Sequence, residues 1–265
     1  MKSFRYMALG LALVASAFAS GPQDRSDSAS KTAPVLVELF TSEGCSTCPP
    51  ADEFLARLNR EQPLSGITVI GVEEHVDYWN RQGWNDPYSS PEWTARQIAY
   101  VDQLKGDSAY TPQAIVDGQH SVIGAREREI VQAIQQSAQQ PRLEMEVTME
   151  LSTKEGALTT NVRAGKLPST VDDTVEIWLA IAEKDLAQNV THGENAGREL
   201  RHSAVLRSLK KLGVAKGKDA VSFEGSAHTK LNREWRSQNL EVIVFAQGKK
   251  SKQIVGVTLA RPPAA

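Results

Sequence analysis

The sequence predicts an α/β domain over residues 34–140 followed by a β-rich, sandwich-like domain over residues 142–261. Three observations predict it. Up to residue 139, apolar runs of strand length alternate with helical stripes in the order β-α-β-α-β-β-α. Beyond Pro141 the stripes give way to alternating apolar and polar residues, the pattern of half-buried strands. Apolar residues make up 40% and charged residues 23% of 265 positions, so a core can form and the composition is not that of a disordered chain.

The chain begins with a segment outside this plan. Lys2 and Arg5 precede an apolar stretch from Met7 to Phe18, and Ala17-Phe18-Ala19 fits a small-residue cleavage site. The stretch is shorter than the roughly 20 residues that span a bilayer. Residues 1–19 are expected to be a signal peptide, and the product a periplasmic or extracellular protein with no stable membrane insertion after cleavage. The rival is an uncleaved N-terminal anchor. Residues 20–33, rich in Ser, Asp and Gly, are expected to form a flexible leader. A formal net charge of −2 offers no attraction to nucleic acid.

In the α/β part, Val35 to Thr41 reads as a buried strand. The turn Ser42-Glu43-Gly44 leads to Cys45-Ser46-Thr47-Cys48. Pro49 and Pro50, lacking N–H donors, suit the first turn of a helix carrying Phe54, Leu55 and Leu58. Ile67 to Val72 is a second strand. Residues 73–90 read as an irregular insertion, and Ser90-Pro91-Glu92 starts a helix. Gln113 to Val116 and His120 to Ile123 form a hairpin around Asp117-Gly118. A last helix runs from Arg126 to Gln139. In the β-rich part, strands are expected at Leu143 to Leu151, Leu158 to Val162, Val175 to Ile181, Val221 to Phe223, Leu240 to Phe245 and Ile254 to Leu259. Residues 199–212 fit helix or strand equally.

Cys45 and Cys48 are the only cysteines of the chain. Export implies an oxidising compartment, yet a disulfide between neighbours closes a tiny loop and constrains little of the unfolded chain. The pair therefore points to chemistry. A helix N-terminus stabilises a thiolate through free N–H donors and its positive dipole end. Cys45 is read as the exposed, attacking cysteine and Cys48 as the resolving one. Ser46 and Thr47 can donate hydrogen bonds to sulfur. Rival readings are an inert clip, half of a zinc site, and a Cu(I) carrier. Zinc would need two further ligands, and the five His are scattered. His192, Glu194, His202 and His228 offer metal-ligand chemistry, but their irregular spacing favours reading them as polar loop residues. Trp79, Trp84 and Trp93 read as packing, and His75 and Asp77 as either tuning the pair or holding the insertion in place.

With the Cys-x-x-Cys pair, this element order and Thr111-Pro112 before the hairpin, the sequence resembles the thioredoxin superfamily over residues 34–139. The resemblance implies a cis Thr111–Pro112 bond facing the redox pair, with Thr111 presenting backbone groups to a bound peptide. The alternative is a trans proline opening a strand. The resemblance also implies a buried acid beneath the pair, for which Glu38 is the candidate to relay a proton from Cys48; a surface carboxylate on a strand edge is the other reading. A narrower resemblance rests on Glu38-Leu39-Phe40-Thr41-Ser42-Glu43-Gly44-Cys45, His75-Val76-Asp77-Tyr78-Trp79, Gly83-Trp84, Asp86-Pro87-Tyr88-Ser89-Ser90-Pro91, Tyr110-Thr111-Pro112-Gln113 and Gly193-Glu194-Asn195-Ala196-Gly197-Arg198. These segments are similar to an exported bacterial family known as domain of unknown function 1223.

Together these readings imply an exported thiol–disulfide oxidoreductase that needs no cofactor beyond its cysteines. Its substrates would be exported proteins or small thiols, and a membrane-bound redox partner would recharge it. The alternative from another class is a non-catalytic binding scaffold with Cys45–Cys48 as a structural clip.

Overall fold

The computed structural model describes Met1 and residues 32–216 and 220–261. Apart from Met1, the expected signal peptide lies outside the described residues, as does nearly all of the leader. Among the described residues are three α-helices and thirteen strands. The first half contains β1 (Ala33–Thr41), α1 (Pro49–Glu61), β2 (Ile67–His75), α2 (Pro91–Gln103), β3 (Gln113–Val116), β4 (His120–Ile123) and α3 (Glu127–Ala138). The second contains β5 (Met145–Ser152), β6 (Ala157–Ala164), β7 (Val175–Glu183), β8 (Leu186–Asn189), β9 (Glu199–His202), β10 (Val205–Val214), β11 (Phe223–Lys230), β12 (Leu240–Gly248) and β13 (Ile254–Ala260).

The fold class expected from the sequence is overturned. The first half does not form a thioredoxin-like α/β domain of its own. Its strands belong to one mixed sheet of eight, ordered β13-β12-β7-β10-β2-β1-β3-β4. The described residues from Thr32 to Arg261 belong to one compact unit. The physical reason lies at the outer edge of β2, which a separate domain would leave free. Here Val205 of β10 pairs in parallel with Glu73, and the Glu73 N–H donates to the Ala204 carbonyl at 2.8 Å. The apolar core crosses the same seam, because Leu36, Ile70 and Val72 share a cluster with Ala180, Leu206, Ile243 and Phe245. Pro141 marks a change of strand pattern without a change of core.

Strand alternation assigns each covering element to a face. Leu36, Ile70 and Val72 face the side covered by α2 through Trp93. Val35, Val37 and Leu39 face the other side, against Phe54, Leu55 and Leu58 of α1 and Ile130 and Ile134 of α3. Further along the sheet, a three-stranded sheet ordered β11-β6-β5 buries Leu158 and Val162 against Ile177, Leu179, Val242 and Val244.

Two local differences matter for function. β2 runs on through Glu73, Glu74 and His75, residues expected to open the irregular insertion. The ambiguous stretch 199–212 becomes two strands, β9 and β10, with β9 pairing to β8 in a small hairpin.

The β3–β4 hairpin turns at Asp117 (φ 46°) and Gly118 (φ 68°), a left-handed pair that suits a two-residue turn. Asp117 also ties the halves together. Its carboxylate accepts from the Leu36 N–H at 3.0 Å and pairs with Arg142, and its carbonyl accepts from the Ile254 N–H at 2.8 Å. A Cβ at position 118 would overlap the Lys252 carbonyl. Gly118→Ala is expected to lower stability by about 1–3 kcal/mol through backbone strain and overpacking. An unchanged urea midpoint would show that the Lys252 backbone gives way freely.

Candidate functional site

The cysteine pair follows the Ser42-Glu43-Gly44 turn at the end of β1. The Cys45 N–H donates to the Ser42 carbonyl at 3.1 Å, and the Cys48 N–H to the Cys45 carbonyl at 3.2 Å. Cys48 caps α1, and prolines fill the first helical positions. Cys45 and Cys48 form a disulfide with Cα atoms 5.5 Å apart. Thr47 Oγ1 lies 3.4 Å from Cys45 Sγ.

Neither cysteine is solvent-exposed, both having 0% relative accessibility, although Ser46 and Thr47 between them are exposed. The expectation of an exposed Cys45 is thereby corrected. The loop between β8 and β9 is bonded across this turn. Asn195 Nδ2 donates to the Glu43 carbonyl (2.8 Å) and to the Cys45 carbonyl (3.0 Å). The Ser46 N–H donates to Glu194 Oε2 at 3.0 Å.

The Thr111–Pro112 bond is cis. Trp79 Nε1 donates to Thr111 Oγ1 at 2.7 Å. The same indole residue backs Gly44, where an added Cβ would lie 3.1 Å from Trp79 Cβ. Pro112 and Ala51 both crowd Gly124, so the proline ring packs beside the first turn of α1. Thr111 and Pro112 thus sit at the same end of the sheet as the cysteines.

Glu38 points elsewhere. Alternation along β1 places it on the face of Leu36 and Phe40, opposite the α1 face. Its carboxylate accepts from Arg96 Nε at 2.6 Å and from the Tyr100 hydroxyl at 2.5 Å. Glu38 is therefore neither an exposed strand-edge acid nor free to serve Cys48. The acid on the α1 side is Asp52, four residues after Cys48 and so on the same helical face. Thr41 Oγ1 donates to Asp52 Oδ1 at 2.7 Å. Burial raises the Asp52 pKa to about 7, and the negative charge of Glu73 adds to the effect.

Beneath the pair lies a buried group of carboxylates and imidazoles. Glu73 and His75 are two apart on β2 and share a face. Glu73 Oε1 accepts from the Ser203 N–H and hydroxyl, each at 2.9 Å, and Glu73 Oε2 lies 2.9 Å from His202 Nδ1. His202 Nε2 donates to Glu43 Oε1 at 3.1 Å, and Trp84 Nε1 donates to Glu43 Oε2 at 2.8 Å. His75 Nδ1 donates to Asp86 Oδ2 at 2.7 Å. The Asp86 oxygen also accepts from the Glu43 N–H at 2.8 Å. Burial alone would discharge His75, but the adjacent Asp86 carboxylate outweighs it and lifts the pKa to about 9. For His202 the same contest with burial is won by Glu43 and Glu73, again upward. Burial pushes Asp86 up, but His75 reverses this and holds its carboxyl low.

Sequence reasoning passed over Glu43, Asp52, Glu73 and Asp86 as functional candidates, and set His202 aside as a polar loop residue in preference to a metal ligand, whereas it lies buried at the end of β9. The readable signal was the alternation from Ile67, which continues through Glu73 to His75. His202 carries no such signal, since it lies 129 residues from Glu73. Asp77 holds the insertion, its Oδ1 accepting from the Thr94 hydroxyl at 2.6 Å.

The fold and site define a mixed-sheet protein whose Cys-x-x-Cys disulfide caps a helix above a buried histidine–carboxylate group. The chain belongs to the family of proteins of unknown function DUF1223, whose model matches residues 36–247. It is similar in structure to protein AGR_C_4864 from Agrobacterium tumefaciens, with 24% identity and a TM-score of 0.63, covering 87% of this chain and 96% of that one. It is also similar to HBP35 of Porphyromonas gingivalis, with 14% identity and a TM-score of 0.64, covering 88% of this chain and 78% of that one. Both likenesses concern the fold. No curated protein matches.

Asn195→Ala removes both side-chain bonds that hold the loop over the cysteines. The Glu43 carbonyl left without this donor costs about 1–3 kcal/mol, while the Cys45 carbonyl keeps the Cys48 N–H. The variant is expected to be reduced by dithiothreitol several-fold faster than wild type while keeping its circular dichroism spectrum. An equal reduction rate would show that Asn195 does not hold the cover.

Proposed function

We propose that this chain is an exported thiol–disulfide oxidoreductase acting through Cys45 and Cys48. The observation that carries the reading is a disulfide between the only two cysteines, closed at the N-terminus of α1. By loop length, such a bridge stabilises by only about 2 kcal/mol, against roughly 4–5 kcal/mol for one closing a hundred residues. Its placement favours chemistry over stapling. Exported proteins or small thiols would be its substrates, with a membrane-bound partner restoring its redox state.

The exchange is balanced without any cofactor. A substrate thiolate attacks Cys45 Sγ, the Cys45–Cys48 bond breaks, and Cys48 leaves as the thiolate. A second substrate thiolate then attacks the substrate sulfur of the mixed disulfide, releasing substrate disulfide and the Cys45 thiolate. Two substrate thiols are oxidised and the protein gains a dithiol; the reverse sequence reduces a substrate. Assigning Cys45 as the reacting sulfur is supported by its neighbours, the exposed Ser46 and Thr47, and by Thr47 Oγ1 beside it. Cys48 lies on the helix side, one turn before Asp52. The Glu194–Asn195 loop must yield before a substrate reaches either sulfur.

The complete burial of the pair favours one second reading, a structural clip. Cys48→Ala separates the two. It is expected to accumulate a mixed disulfide through Cys45 when incubated with oxidised substrate proteins or oxidised glutathione, detected by mass spectrometry. A Cys48→Ala protein that stays fully reduced under those conditions would establish the clip.

Export is proposed on the basic start, the apolar run and Ala17-Phe18-Ala19. Edman sequencing of the protein from the periplasmic fraction is expected to begin at Ser20. An intact Met1 terminus on cytoplasmic protein would refute it.

A further inference from the structure

We infer that Glu73, His75 and His202 form a binding site for one zinc ion, lying beneath the disulfide and independent of its redox chemistry. Each of the three residues offers one donor atom, and the three atoms all lie within 4.8 Å of one another. Glu73 Oε2 is 2.9 Å from His202 Nδ1 and 3.8 Å from His75 Nε2. Zinc–ligand bonds of about 2.0 Å in tetrahedral geometry place neighbouring donors roughly 3.3 Å apart. The two separations bracket that value.

Two further observations point to a cation. His75 Nε2 is fully buried and has no hydrogen-bond partner among the described residues, and at 3.8 Å its contact with Glu73 is too long to be one. A buried nitrogen aimed at a carboxylate and another imidazole is costly to leave unsatisfied, and a metal would satisfy it. The remote ring nitrogens are the second observation. His75 Nδ1 is held by Asp86 and His202 Nε2 by Glu43. A histidine that ligates a metal characteristically donates its other N–H to a carboxylate, which fixes the tautomer and makes the free nitrogen more basic. Both histidines are held in this way, with their second nitrogens turned toward the same carboxylate oxygen. The other Glu73 oxygen is fixed by Ser203, so Oε2 keeps its direction.

Two imidazoles and one carboxylate form a donor set suited to zinc. A water would take the fourth position of a tetrahedral site. His202 and Ser203 also line a cleft of about 570 Å³ with Asn59, Arg60 and Arg201. The competing arrangement has both histidines protonated and ion-paired to Glu43, Glu73 and Asp86, with no metal.

The test is zinc titration of the full mature protein after removal of metal by chelation and dialysis. Calorimetry is expected to show one zinc per chain. His75→Ala and His202→Ala are each expected to weaken binding at least 100-fold. His228→Ala, a histidine far along β11, is expected to leave it unchanged. The Cys45→Ser/Cys48→Ser double variant should also bind zinc as wild type does, so this site and the redox reading fail independently. If the histidine variants do not fold, cobalt substitution of the stripped wild type decides. A visible d–d spectrum of a four-coordinate site without a thiolate charge-transfer band supports the assignment. Absence of stoichiometric zinc binding by folded wild type, undiminished binding by folded histidine variants, or a thiolate band overturns it.

Discussion

The architecture depends on how Glu73 is satisfied. A carboxylate removed from water costs several kcal/mol unless it is hydrogen-bonded and paired. Glu73 meets that demand only with residues of another segment, namely the Ser203 N–H and hydroxyl and the His202 ring. Its own N–H goes to Ala204, and Val205 is its strand partner. The seam between β2 and β10 is therefore short in backbone pairing and strong in side-chain pairing. Moving β10 away would strand a buried charge, so the two halves of the sheet are held in one register.

That register also builds the site. With His202 anchored under Glu73 and Glu43, the preceding loop is brought over the Cys45 turn, where Asn195 and Glu194 bond it. Glu43 is the shared member. Its carbonyl accepts from Asn195, its carboxylate from His202 and Trp84, and its N–H donates to Asp86. A change at the histidines is therefore one residue away from the disulfide loop. Trp79 and Trp84, large apolar bodies with one donor each, tie the insertion to Thr111 and Glu43 and so fix the walls of the site.

The adjacent Glu73 and Glu74 illustrate how a strand divides such demands. Alternation sends them to opposite faces. Glu73 enters the histidine group, while Glu74 faces the Arg96 guanidinium at 3.5 Å, beside Glu38. Burial, reinforced by the charge of Glu38, raises the Glu74 pKa well above its ordinary value. Neighbouring acids of one strand thus face basic residues on opposite sides of the sheet, Glu73 toward His202 and Glu74 toward Arg96.

The sequence by itself determined the local elements and the chemistry that local order can express. Apolar periodicity located most strands and all three helices, because burial of one face imposes a period within a single segment. The Asp117-Gly118 turn was legible because its left-handed backbone selects those residues, and the cysteine pair because its spacing and the prolines after it suit a helix start. Only the tertiary structure decided that β2 takes β10 as a neighbour, that Glu38 turns to Arg96 while Asp52 turns to Thr41, and that Glu73, His75 and His202 meet. Strand-edge pairing is specified by contacts between segments more than a hundred residues apart, and charged residues inside a strand resemble a loop until their partners are known. His202 carried no local mark, since its role comes entirely from the Glu43 and Glu73 carboxylates that close around it.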